Sequence, residues 1–192
     1  MKTHTTKSLT METWPDFVEL VERHNGVWGG CWCMGFHKEG FGKDRSAENN
    51  RRNKECKVRD GTAHAALVFD GAKAIGWCQF GKADDLTRIK MRKEYESKVF
   101  DVPDWRITCF FTDREYRKEG ISEIALKAAL LEIKGLGGGV VESYPEEITT
   151  QRTSGAFLYN STIGIFERNG FERITKLGKN HWVVRMRVKD SI

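Results

Sequence analysis

No run in this sequence approaches the ~18 consecutive apolar residues that a membrane-spanning helix requires, so a bilayer span is excluded. The opening residues, MKTHTTKSLT, lack an apolar core and a small-residue cleavage site. No secretory signal is expected there, and residues 1–10 read as a flexible tail. Repeats, low-complexity stretches and linkers are also missing, so residues 1–192 are expected to form one domain. Cysteine is sparse and odd in number, five residues at 31, 33, 56, 78 and 109. In a chain long enough to bury a core without staples, this predicts reduced thiols and a cytoplasmic protein. The five histidines include no pair at helical metal spacing, and His64 and His181 read as structural. No Gly-Lys-Ser/Thr closes a Walker loop, and no glycine triplet marks a dinucleotide site.

What is present is a globular composition, 39% apolar and 31% charged, with a net charge of +5. Two segments concentrate the positive charge. Residues 43–60 hold seven Lys/Arg against four acids, and residues 88–98 hold five against two. Neither carries the interleaved aromatics of a nucleic-acid motif, so both read as solvated faces before they read as a binding patch.

Thr13 is placed to cap a first helix, with Pro15 and Asp16 in its first turn and Phe17, Leu20 and Val21 as its apolar stripe. Residues 46–57 are helix-compatible but too polar for periodicity to decide. HAALVF and KAIGWCQF flank Asp70-Gly71, a dipeptide suited to tight hairpins, and predict strands over 64–69 and 73–80. Pro103 closes a charged, helix-compatible segment. RITCFF then reads as a strand, SEIALKAALLEIK (122–134) as a largely buried helix stopped by Gly135, and GGVVESY as another strand. Strand, helix, strand within about 40 residues forms a βαβ unit with a parallel pair. A short helix over 161–169 ends at Gly170, and two strands near 172–176 and 182–188 complete a mixed α/β sheet.

Between the βαβ strand and its helix lies TDREYRKEGIS, which supplies Arg117, then Gly120, then the small Ser122 at the helix start. The first-turn N–H groups and the helix dipole favour an anion there, and glycine permits close approach. The order of hairpin, strand, Arg-x-x-Gly-x-small, buried helix, strand and short helix ending in ERNGFERI resembles the GNAT superfamily of N-acetyltransferases. The resemblance spans about residues 60–188. It implies a mixed, mostly antiparallel twisted sheet with a central βαβ unit and helices on both faces. It also implies acetyl-coenzyme A as acyl donor, an acetyl-coenzyme A-binding core over 107–171, and no metal. In family terms Arg117, Lys118, Glu119, Gly120, Ile121 and Ser122 hold the pyrophosphate. Phe110, Phe111 and Thr112 splay from the neighbouring strand and bind the pantetheine arm, with a main-chain N–H near Phe111 as oxyanion donor. Asn160 and Phe166 complete the cofactor set, and Gly170-Phe171 is the later landmark. The chain departs from the family at Ser122, where Gly or Ala is usual, and at Glu119, an acid within the phosphate loop.

Many family members carry a tyrosine acid four residues before the Gly of Gly-Phe. Phe166 stands there instead. Tyr159 lies seven residues earlier, ~10 Å along a continuous helix, and reaches that place only if FLYNS is not helical. Glu142, in the otherwise apolar VVESY, is the candidate base, or else an edge carboxylate paired with a basic residue. Tyr144 shares its face and is a candidate for the acceptor pocket. The stretch WGGCWCMGFH (28–37) is too tightly spaced for zinc or for a redox pair. Trp28 and Trp32 are either an acceptor-side wall or packing. The expected partners are acetyl-coenzyme A and a primary amine, a small molecule or peptide, with no membrane, nucleic acid disfavoured and a homodimer open. A second reading is an acyl-coenzyme A-binding or regulatory module with little transfer activity.

Overall fold

The computed structural model describes residues 3–41, 45–148 and 159–190. Thr5–Ser8, expected within a flexible tail, instead form strand β1, paired antiparallel with residues 66–69. All four residues are exposed, so no apolar alternation announces them. They suit an edge because they are short, polar and partly β-branched. Thr13 occupies the N-cap position of α1 (Trp14–Arg23), but its hydroxyl donates to the Ser8 carbonyl at 2.7 Å instead of capping the helix. Trp14, Phe17, Leu20 and Val21 form the buried face of α1. Helix α2 (Ala47–Arg59) starts where the Ser46 hydroxyl accepts from the Asn49 N–H.

The hairpin follows as read, with β2 (His64–Asp70) and β3 (Lys73–Lys82) antiparallel about Asp70-Gly71. After α3 (Arg92–Lys98) come β4 (Trp105–Thr112), α4 (Ile121–Gly135) and β5 (Gly139–Ser143). The short α5 (Ile163–Arg168) leads into β6 (Glu172–Leu177) and β7 (His181–Val188). The seven strands lie in the order β1-β2-β3-β4-β5-β7-β6. Among the described strands only β4 and β5 pair in parallel, as the βαβ reading requires. Helix α4 packs on one face through Ile121, Ala125, Leu126, Ala129 and Ile133, joined by Phe166 and Phe171. Helix α1 and the segment after it cover the other face. No described helix is long and apolar enough to cross a membrane.

The expectation of a solvated face over 43–60 fails along the inner face of α2, where Asn50, Lys54 and Val58 are buried. Lys54 points inward, fully buried, and donates to Gln79 Oε1 at 2.5 Å, while Gln79 donates to Thr108 Oγ1 at 3.1 Å. Burial pushes the Lys54 ammonium below its ordinary range, opposed by neighbouring thiols. Residues 43 and 44 of that segment lie outside the described residues.

Of its two expected roles, Glu142 takes that of the paired carboxylate, within the sheet instead of at its edge. It sits at the centre of a cross-strand row, with Arg106 of β4 on one side and Arg185 of β7 on the other. Its carboxylate is fully buried. It accepts from Tyr95 Oη at 2.8 Å, Tyr144 Oη at 2.5 Å and Arg185 Nε at 2.7 Å, with Arg106 Nε at 4.0 Å. Arg185 also binds Asp101. Each oxygen has a donor, so Glu142 clamps three strands instead of presenting a free carboxylate. Tyr144 does share its face, but is buried and spends its hydroxyl on this clamp.

Two outcomes follow. Glu142→Leu leaves Arg185 and two tyrosine hydroxyls without their acceptor, and should cost about 3–5 kcal/mol in urea unfolding. On α4, burial raises the Glu132 carboxyl from 4.5 to about 7, partly opposed by Ser8. The folded state therefore binds a proton that the unfolded state has released between those values. Stability is full below about pH 4.5 and falls as pH rises through about 7. Glu132→Gln should flatten that loss, a gain on the order of 1–2 kcal/mol at pH 8 after discounting for solvent screening.

Candidate active site

The parallel pairing of β4 with β5 runs only from Trp105–Val141 to Ile107–Ser143. Beyond Ile107, β4 continues to Thr112 along β3 alone, so its other edge opens. Main-chain groups alternate along a strand. The Asp113 N–H donates to Ile75 O at 2.8 Å, so the odd-numbered donors here, including Phe111, face β3. The open edge therefore carries the N–H groups of Phe110 and Thr112, which flank the position expected from sequence. The Phe110 N–H is taken by the Tyr159 carbonyl at 2.7 Å.

This edge leads into a cleft of about 720 Å³, lined from β4 by Phe110, Phe111 and Thr112, and from the following loop by Arg114, Tyr116, Arg117, Lys118 and Gly120. Ile121 and Ser122 of α4 complete its floor. Gly120 is the N-cap of α4 at φ +79°, and a Cβ added there would meet nothing within 4 Å. It faces open space, and glycine holds this left-handed backbone without strain. The Gly120 carbonyl accepts from the Glu123 and Ile124 N–H groups, leaving earlier first-turn donors directed outward. Ser122 Oγ lies 3.3 Å from Thr112 Oγ1. Gly76 of β3 lets this corner close, because a Cβ there would fall 2.7 Å from both Ile121 Cγ2 and Phe111 O. Arg114, Arg117, Lys118 and Arg168 make the cleft basic. Its acid, Glu123, is held below the ordinary carboxylate range by Arg168 at 2.8 Å, with Asn169 and Lys127 adding to it.

Three expected cofactor residues do not line the cleft. Glu119 is exposed to solvent. Phe166 is fully buried, edge-on to Phe110 and Phe171. Asn160 is buried behind the wall, its Oδ1 without a partner. Tyr159 lies ahead of α5 in a turn, so it is not on the helix; Phe157 and Leu158 of FLYNS lie outside the described residues. It is not among the lining residues, and its ring lies 6.2 Å from that of Trp28 and 6.1 Å from that of Phe36.

The opening wall is built by an unusual backbone. Asn25, Gly26, Val27, Trp28, Gly29 and Gly30 all have positive φ, and the Gly30 and Cys31 N–H groups bond back to Gly26 O and Val27 O. This is one turn of left-handed helix, costing roughly 1–2 kcal/mol at each non-glycine residue. The turn presents Trp28, 38% exposed, edge-on to Phe111 at 6.1 Å and into the cleft. Trp32 goes the other way. It is buried against Trp14 and Phe17 with Arg51 over its ring, so only one of the two tryptophans lines the cleft. Cys33 is buried against Cys109, with Trp77 Nε1 donating to its sulfur at 3.0 Å, and Trp77 stacks on Phe111. All five cysteines are free thiols, and no described group of three or more His, Cys, Asp or Glu side chains is arranged for a metal. Buried His37, without a partner on either nitrogen, is pushed down to about 2 by burial and by Lys54 and Lys57.

Sequence reasoning missed His24, Val27, Arg114, Tyr116, Glu123, Ser161, Thr162, Ile165 and Arg168 in the lining. Several come from outside the βαβ unit, and only the arrival of α1 and α5 at the fork brings them in. Glu142 and Tyr144 are absent from it.

No protein-family model matches the sequence, and no curated protein matches it. The solved structures do. A mosquito arylalkylamine N-acetyltransferase-like 5b superposes with a TM-score of 0.58 at 12% identity, covering 96% of this chain and 100% of its own. An N-acetyltransferase from Staphylococcus aureus Mu50 gives 0.55 at 12% identity over 97% and 99%. The PaiA N-acetyltransferase of Thermoplasma acidophilum, solved with coenzyme A, gives 0.53 at 14% identity over 96% and 99%. At these identities the likeness concerns architecture: the chain has the fold of the GNAT N-acetyltransferases.

Proposed function

We propose that the protein is an N-acetyltransferase that moves the acetyl group of acetyl-coenzyme A to a primary amine by direct attack in a ternary complex. The observation that carries this reading is the continuity of the cleft. It runs from the unpaired edge of β4 to the basic, glycine-capped start of α4, so one extended ligand could meet both. The pyrophosphate would lie against Arg117, Lys118 and the first-turn N–H groups of α4. The pantetheine arm would run along Phe110–Thr112 as an added strand, exchanging the Tyr159 carbonyl for its own acceptor at the Phe110 N–H. That donor would then face the thioester oxygen and stabilise the oxyanion. The amine would enter past Trp28 and Tyr159. The departing thiolate leaves readily enough that the missing tyrosine at Phe166 does not block the chemistry, since an ordinary thiol ionises near ~8.5. Its free thiols fit a cytoplasmic setting.

Two features favour an acyl-coenzyme A-binding module instead: the buried Phe166 in the acid position, and the Tyr159 carbonyl lying on the Phe110 donor. Calorimetric titration of acetyl-coenzyme A, followed by thiol release against a panel of primary amines, separates the readings. Binding with turnover is expected. Binding without turnover selects the module, and no binding at millimolar donor removes both. Gly120→Glu, which sets a carboxylate in the phosphate cradle and strains a left-handed position, should lower affinity at least 100-fold. Unchanged affinity would place the phosphates elsewhere.

A further inference from the structure

Acetyl transfer to an amine needs a group that takes a proton from the attacking nitrogen. The cleft offers few. Glu123 is tied to Arg168, Lys127 and Asn169. The Tyr116 hydroxyl donates to Asp70 Oδ2 at 2.9 Å. Arginine and lysine are charged, Glu119 is outside the lining and Glu142 is locked in the strand clamp. One imidazole remains. His24 is the C-cap of α1, lines the cleft, and packs against Phe111 with ring centroids 5.0 Å apart.

Its surroundings are those of an oriented base. His24 Nε2 lies 3.2 Å from Oδ2 of Asp113, whose side chain is only 2% exposed. Asp113 is fixed in turn: Glu115 N–H donates to its Oδ1, Arg23 contacts Oδ2 at 3.1 Å and Lys73 stands 3.7 Å away, itself paired with Glu115. Burial alone would raise the Asp113 carboxyl, but the Glu115 N–H, His24 and Arg23 together hold it low and ionised. The buried Nε2 meets this carboxylate as an ion-pair contact at 3.2 Å, outside hydrogen-bond geometry; a proton held on that side by the charge leaves the Nδ1 lone pair free, and no described hydrogen bond engages Nδ1. The C-terminus of α1 adds a negative dipole end beside the ring.

Resting on the acetyltransferase reading, we infer that His24 is the general base of this site and Asp113 its positioning residue. His24 Nδ1 removes a proton from the acceptor nitrogen. The nitrogen lone pair forms the C–N bond to the acetyl carbon, the C–S bond breaks, and the thiolate of coenzyme A carries off the bonding pair and receives the proton from the imidazolium. The products are the N-acetyl amine and the free thiol, with no further reactant required.

The test uses the full chain and acetyl-coenzyme A, with thiol release followed from pH 6 to 9 on the most reactive amine of the panel. His24→Gln should lower kcat/KM about 10²-fold or more and abolish the acidic limb of the profile, while the calorimetric Kd for acetyl-coenzyme A stays within about threefold. Asp113→Asn keeps the Oδ1 acceptor but removes the charge beside Nε2. It should lower kcat/KM with the calorimetric Kd for acetyl-coenzyme A unchanged, and reduce the Nε2–H tautomer of His24 read by NMR. A melting curve confirms that each variant is folded. Should Asp113→Asn unfold, the NMR tautomer of His24 in the wild type decides, with Nε2–H expected and Nδ1–H contrary to the proposal. Wild-type turnover with an unchanged His24→Gln profile overturns the base and spares the acetyltransferase reading. Wild-type binding without turnover on any amine overturns both.

Discussion

The structure depends on where β4 stops pairing with β5. A parallel pair of three residues is short, and two charged side chains of the row, Arg106 and Arg185, lie to either side of one carboxylate. The Glu142 clamp makes this arrangement sustainable. It binds β5 to β7, draws in Tyr95 of α3 and stands at the root of the fork, so β4 can turn away beyond Ile107 without the sheet unravelling. Burying such a charge is tolerable only because every oxygen is bonded. The open edge just above it then holds polar main-chain groups that something must satisfy. The Tyr159 carbonyl satisfies one of them.

Opposite the fork, the face covered by α1 is stiffened from behind. Trp77 stacks on Phe111 and donates to Cys33, Cys33 touches Cys109 of β4, and Lys54, Gln79 and Thr108 form a buried polar chain beside them. The stretch WGGCWCMGFH is thus the backing of the wall, and Trp28 its exposed face. The left-handed turn explains the glycines. Without Gly26, Gly29 and Gly30, six successive positive-φ residues would all carry the steric penalty of a Cβ.

Much of this was legible in the chain. The hairpin, the βαβ unit and the glycine-capped start of α4 announce themselves through Asp70-Gly71, the apolar run 122–134 and Gly120, each a local signal with a local cause. Strand β1 was not legible, because its four residues are all exposed and carry no alternation. The inward turn of Lys54 was not legible, since composition cannot tell an inward lysine from its solvated neighbours. Glu142 is legible only as one of two readings, base or paired carboxylate: an acid in an apolar strand signals a special environment, but its partners Arg185 and Tyr95 are brought in by other elements. Trp28 and Trp32 differ by one turn of backbone whose handedness the letters do not reveal. His24 looked like one of five scattered histidines because its partner Asp113 is 89 positions away.

That distance is also what couples the two halves of the site. Asp113 follows Thr112 at the end of β4, and its N–H closes the ladder to Ile75 while its side chain reaches back to α1. The same strand end therefore continues into the basic loop on one side and holds the imidazole on the other. A displacement of β4 cannot move the loop without moving the carboxylate that orients His24. Glycine at position 76 allows Ile121 and Phe111 to meet at this corner, so the start of α4 is registered to the same point. On the acetyltransferase reading, this one junction would thereby set the geometry of donor and acceptor together.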